Sequence, residues 1–141
     1  MGTGESVEFT YEVRGKPVPK GRPRFFRGHA VTPAATRKRE KLSASVALAA
    51  RPEGWPLDAY YRAEVWVYLP DRRRGDLDNY GKLELDALDG VAWSDDCRVH
   101  ELTARRCLDA ANPRVVVRVE TIPPCWGADY SPPGKSSRPS T

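Results

Sequence analysis

Between Gly15 and Arg24 the chain reads Gly-Lys-Pro-Val-Pro-Lys-Gly-Arg-Pro-Arg, with three prolines and two glycines in ten residues. Proline supplies no backbone donor and clashes with a preceding helical turn, so this stretch belongs to neither a helix nor a ladder and must be a loop. It leaves one element before it. Val7 to Val13 alternates Val7, Phe9, Tyr11 and Val13, the period of a strand with one buried face. After the loop, Thr32-Pro33 offers an N-cap and a first-turn proline for a helix running to about Ala50, whose Leu42, Val46 and Ala49 form a narrow apolar side. Arg51-Pro52-Glu53-Gly54 stops that helix, and Ala59 to Leu69, rich in Tyr, Val and Trp, reads as a strand. A second helix is expected from about Asp78 to Gly90. Val99 to Leu108 and Arg114 to Ile122 then read as strands on either side of an Asp109-Ala110-Ala111-Asn112-Pro113 turn. The order strand, helix, strand, helix, strand, strand predicts an α/β domain, a single mixed sheet flanked by two main helices.

The expected organisation is a flexible N-terminus over 1–6, one domain over 7–122 and a disordered tail rich in proline and serine over 123–141. At 141 residues there is room for one core. The apolar stretches are too short to span a bilayer, and the first residues lack the charged and apolar regions of a secretory signal, so a cytoplasmic protein is expected. Gly2 and Ser6 fit the loose myristoylation pattern, but no polybasic run follows immediately. Cys97, Cys107 and Cys125 are an odd set without a Cys-x-x-Cys pair, which argues for reduced thiols and against a disulfide framework or zinc knuckle. With only His29 and His100 and no nucleophile-elbow or Walker pattern, histidine-rich metal sites, serine hydrolases and P-loop enzymes drop out.

A formal charge of +4 conceals two opposed blocks. From Val13 to Lys41 ten basic residues face the single acid Glu40, a local +9. From Asp76 to Asp96 seven acids face Lys82 alone, a local −6. Asp76 and Asp78 stand at the start of the second helix, and Asp95 and Asp96 follow a Gly90-Val91-Ala92-Trp93-Ser94 turn at its far end. Were that turn to bring the pairs together, their repulsion would be relieved by a hard divalent ion, Mg²⁺ or Mn²⁺. Lys82, four residues after Asp78, shares its helix face and would meet a phosphate there. The competing reading is a solvated acidic face with Lys82 paired to Asp78 and Asp86. An EF-hand loop beginning at Asp76 fails, because Tyr80 and Ala87 fall where ligands are required. A restriction-type nuclease is disfavoured by Tyr80, which occupies the place of an acid two residues before the lysine. Lys20, Arg22, Arg24 and Arg27, interleaved with Phe25 and Phe26, and Arg72, Arg73 and Arg74 beside Asp76, read as contacts to nucleic-acid phosphates or, for the loop, as a solvated turn. Phe25 or Phe26 also suits core packing. Trp93 reads as a brace for the acidic turn, with base stacking as its rival.

The run Leu69-Pro70-Asp71-Arg72-Arg73-Arg74-Gly75-Asp76-Leu77-Asp78-Asn79-Tyr80-Gly81-Lys82, followed by Asp86-Ala87-Leu88-Asp89-Gly90-Val91-Ala92-Trp93-Ser94-Asp95-Asp96, closely resembles RusA-type Holliday-junction resolvases. The Pro19 to Arg24 loop is similar to one near the N-terminus of many members. The likeness covers roughly residues 7 to 121. It implies a homodimeric, Mg²⁺-dependent endonuclease, bacterial or phage-encoded, that makes paired nicks in four-way DNA junctions during recombination and repair. It further implies Asp76, Asp78 and Asp96 as metal ligands with Asp95 beside them, and Lys82 as a residue needed for cleavage. The alternatives are a branched-DNA or flap nuclease on the same site and a non-catalytic DNA-binding protein.

Overall fold

The computed structural model of the chain describes residues 6–21, 24–31, 33–73 and 75–123, with the backbone alone for 24–26 and 29–31. Strand β1 (Glu8–Arg14) is followed by a short hairpin of β2 (Arg24–Phe26) and β3 (His29–Val31), then helix α1 (Ala34–Ala50), strand β4 (Tyr60–Leu69) and helix α2 (Leu77–Ala87). A 3₁₀ turn (Asp96–Arg98) leads into β5 (Val99–Leu108), and β6 (Arg114–Ile122) ends the described elements. The four long strands form one mixed sheet in the order β1-β6-β4-β5. β6 runs antiparallel to both neighbours, whereas β4 and β5 are parallel. Parallel neighbours need a crossover, and α2 supplies it. The expected mixed α/β sheet with two helices is therefore what forms.

Alternation decides which face of the sheet is buried. Phe9, Tyr11 and Val13 of β1, Tyr61, Ala63, Val65, Val67 and Leu69 of β4, and Val115, Val117 and Val119 of β6 all enter the core. The opposite face of the sheet is an ionic lattice. Arg62 pairs with Glu101 and Glu120, and Arg118 with Glu8, Glu64 and Glu120. Arg105 reaches Glu64 and lies 4.9 Å over the Trp66 ring, while Arg114 pairs with Asp109 and lies 3.7 Å over Tyr68.

Several boundaries and one face differ from expectation. The residues around Arg24 enter a strand, because a two-residue turn at Arg27 (φ 52°) and Gly28 (φ 79°) closes the β2–β3 hairpin. Both central residues have positive φ, the pattern whose twist suits paired strands and which glycine adopts without strain. Helix α2 stops at Ala87, before Gly90, since the Gly90 N–H turns to the Trp93 carbonyl at 2.7 Å. The buried side of α1 is not Leu42, Val46 and Ala49 but Thr36, Arg39, Ser43 and Ala47. Leu42 is 47% exposed and Ala49 is exposed, with Val46 only half-buried.

The reason is the carboxylate of Glu84, 1% exposed on the inner side of α2. It accepts from Tyr11 Oη at 2.8 Å and from Ser43 Oγ at 3.2 Å. A buried charge demands donors, so the surface of α1 that meets it has to be polar. Arg39 stands in the same layer, donating from Nη1 to the Lys16 carbonyl at 3.2 Å. Burial raises the Glu84 pKa against the pull of Tyr11, Arg39 and Ser43, and lowers that of Arg39.

Thr32, where an N-cap is expected, lies outside the described residues, and α1 begins after Pro33, which makes no side-chain cap. The tail over 124–141 and the first five residues also lie outside them. Cys97 is exposed and Cys107 half-buried, both as thiols, while Cys125 is outside the described residues. Among the described residues no helix is long and apolar enough to cross a membrane.

Candidate active site

Helix α2 organises the acidic residues. Asp76 occupies its N-cap position and Asp78 its first turn, both exposed. Acids there suit the positive end of the helix dipole. Asp78, Lys82 and Asp86 then follow at four-residue spacing, one line along the helix surface. The Lys82 ammonium, on an exposed side chain, lies 3.2 Å from Asp86 Oδ1. Eight positions separate Asp78 from Asp86, about 12 Å of helical rise.

The far end of that line is where carboxylates converge. Asp86, Asp89 and Asp96 each place an oxygen so that all three lie within 4.8 Å of one another. Of the pairs flanking α2, only the Asp96 side enters this group; Asp76 and Asp78 stand at the other end of the helix. Asp89 is fixed by fully buried Trp93, whose Nε1 donates to Asp89 Oδ1 at 3.0 Å, so the indole does brace the acidic turn. Burial raises the Asp89 pKa, and the neighbouring carboxylates of Asp96, Asp86 and Asp95 raise it further. Asp95 points elsewhere: its Oδ1 accepts from the Cys97 N–H at 2.9 Å and caps the 3₁₀ turn, a bond that lowers its pKa.

Cations border the group from a second element. Lys20 Nζ lies 2.7 Å from Glu40 and 2.9 Å from Asp86, and the Lys20 N–H donates to the Asn79 carbonyl at 2.8 Å. Partial burial works against its charged form, but the bonds to Glu40 and Asp86 prevail and raise its pKa. The Pro/Gly loop is thus fastened to both helices. Gly21 completes the fastening: its N–H donates to Thr36 Oγ1 at 3.0 Å, and a Cβ at this position would lie 2.9 Å from both Thr36 Oγ1 and Pro33 Cγ. The other expected DNA contacts divide. Arg27 is exposed in the hairpin turn, Arg72 is exposed on the β4–α2 loop, and Arg73 folds onto Asp71 at 2.8 Å. Arg22 and Arg74 lie outside the described residues, as do the side chains of Arg24, Phe25 and Phe26.

Three oxygen donors of this kind, partly exposed and mutually repelling, fit a hard divalent cation such as Mg²⁺ or Mn²⁺ better than a soft metal that prefers sulfur. Sequence reasoning placed Asp86 and Asp89 in the acidic block without assigning them to the site. The four-residue spacings Asp78–Lys82–Asp86 and Asp89–Trp93 were the signal that would have found them. Glu84 carried a weaker one, an acid on the helix side that also holds Tyr80, Leu83 and Ala87.

Carboxylates bordered by lysines, at the C-terminal end of a helix crossing between parallel strands, suit a divalent cation set beside a phosphate group. The family model described as Endodeoxyribonuclease RusA matches residues 14–120, and the chain belongs to that family. Among curated proteins none matches it.

Proposed function

We propose that the protein is a divalent-metal-dependent endonuclease that resolves four-way DNA junctions by paired nicks, in recombination and repair, acting in the cytoplasm of a bacterial or phage-infected cell. The observation that carries this reading is the convergence of Asp86, Asp89 and Asp96 beside Lys20 and Lys82 in a chain of the RusA family. Asp96, with Asp86 and Asp89, would hold Mg²⁺ or Mn²⁺, and the bound ion would supply an acidified water and a polarised phosphoryl oxygen.

The chain's own residues do the remaining work. A strand laid along α2 meets carboxylates at both ends of the helix and the Lys82 ammonium between them. Lys82 balances charge as the attacking water oxygen bonds to phosphorus and the bond to the leaving sugar oxygen breaks. Asp76 and Asp78 complete the catalytic set at the N-terminal end, with Asp95 holding the turn that presents Asp96. Lys20 fastens its own part of the loop to the same helix, and Arg22, Arg24 and Arg27 are the further phosphate contacts of this reading. A two-fold homodimer would set two such sites against the opposed strands of a junction.

Substitution at both ends of the helix tests the assignment. Asp76→Asn and Asp96→Asn are expected to abolish cleavage of a synthetic four-way junction in Mg²⁺ while leaving junction binding in EDTA intact. Wild-type rates in either variant would remove that aspartate from the set. Cleavage of plain duplex or a flap as fast as of the junction would overturn the junction specificity. Analytical ultracentrifugation of the full chain is expected to give a dimer.

A further inference from the structure

The start of the β4–α2 loop borders a surface pocket of about 210 Å³, lined by Leu69, Asp71, Arg72, Arg73, Arg106 and Cys107 among others. Its cationic character comes from two elements far apart in sequence, the β4–α2 loop and the edge strand β5. Register explains why Arg106 is here. In the parallel β4–β5 pairing Arg105 stands beside Trp66 and Arg106 beside Val67. Adjacent residues of a strand point to opposite faces. Arg105 therefore joins the ionic lattice, where Glu64 and Trp66 occupy it. Arg106 emerges on the helix side of the sheet, at an edge that leaves it exposed. There its Nη2 donates to the Gly75 carbonyl, the backbone group next to Asp76. Among the described residues neither Arg106 nor Arg72 has a carboxylate partner. The one acid in the pocket, Asp71, is engaged by Arg73 through Nε at 2.8 Å and Nη2 at 2.9 Å.

An exposed guanidinium pair around an already neutralised acid suits an anion. The volume admits a phosphodiester group with waters, since a water takes about 30 Å³ of liquid. We propose that this pocket receives a DNA backbone phosphate flanking the reacting one, with Arg72 and Arg106 as donors. Arg106 is also a positioning residue for Asp76 through Gly75. The assignment rests on the junction-nuclease reading, but it makes a separate demand on binding.

That demand is read from the salt dependence of junction binding by the full chain in EDTA. Each neutralised phosphate contributes roughly 0.9 to the slope of log K against log salt on duplex arms. Arg106→Ala should lower the slope by about one unit, Arg106→Lys should keep it, and Arg105→Ala, one residue away on the opposite face, should leave it unchanged. Arg106→Gln removes the charge and leaves an amide two atoms short of the Gly75 carbonyl, so it should lose the slope unit as well, while the melting temperatures of Arg106→Ala, Arg106→Gln and Arg106→Lys report separately on any effect on the loop. A wild-type slope in both Arg106→Ala and Arg106→Gln overturns the pocket even if wild type cuts junctions. Equal loss in Arg105→Ala overturns it too, because the effect would then be diffuse. If wild type binds duplex as tightly as junction but Arg106→Ala still loses the unit, the pocket stands and the junction reading falls.

Discussion

Glu84 links α2 to β1 through Tyr11 and to α1 through Ser43, and it is an acid with its pKa raised by burial. The sign of its pH effect follows. A raised folded-state pKa means the native protein holds the proton more tightly than the unfolded chain, whose glutamate titrates near 4.3. Its stabilising contribution is fully present below that value and is lost as pH rises through the folded pKa. Glu84→Gln keeps a carbonyl oxygen for one of the two hydroxyls, lets the other accept from the new amide N–H, and removes the titration. Urea unfolding at several pH values should therefore show the variant gaining on wild type from about pH 4.3 upward. Parallel curves for the two proteins would contradict the assignment of the buried charge.

At the scale of elements, the loop is where a small change has a large effect. Gly21→Ala puts a methyl group 2.9 Å from Pro33 Cγ, part of the turn into α1, and from the Thr36 hydroxyl that caps its own N–H. Overpacking of this kind costs about 1–3 kcal/mol, and a thermal melt should show the loss while wild-type far-ultraviolet dichroism is retained. The elements themselves were legible in sequence where a period was clean. Arg114 to Ile122 forms a strand with the expected bounds, because the alternation of Val115, Val117 and Val119 agrees with the turn residues before it, whereas Val99 to Leu108, whose burial does not alternate, owes its expected bounds to the turns on either side. The inner face of α1 was not legible. Its apolar residues suggested one side, but a partner carboxylate from α2 selected the polar side, and nothing local to α1 announces Glu84. The candidate site was half legible for a related reason. Sequence spacing placed acids at both ends of α2, but a helix keeps its ends apart. The group that forms at the Asp96 end is completed by Asp86 and Asp89, which four-residue spacing hints at and three-dimensional proximity selects.

For the whole molecule, the acidic block and the basic loop are one assembly, joined where Lys20 meets Asp86. A divalent ion at Asp86, Asp89 and Asp96 would relieve the repulsion that helps to raise the Asp89 pKa, and anything that binds only the native state raises its melting temperature. Titrating Mg²⁺ or Mn²⁺ should raise the midpoint of wild type, EDTA should reverse the gain, and Asp96→Asn should blunt it. No shift in wild type would remove the ion from this group. The ionic lattice on the other side of the sheet has a kinetic consequence. Its guanidiniums are spent on Glu8, Glu64, Glu101 and Glu120, so beyond a Debye length of about 8 Å at physiological salt that side presents little field to an approaching polyanion. Collisions that begin there are not expected to be drawn in. For the proposed nuclease, productive orientation would thus be sorted in solution during approach, before any base or backbone atom is touched.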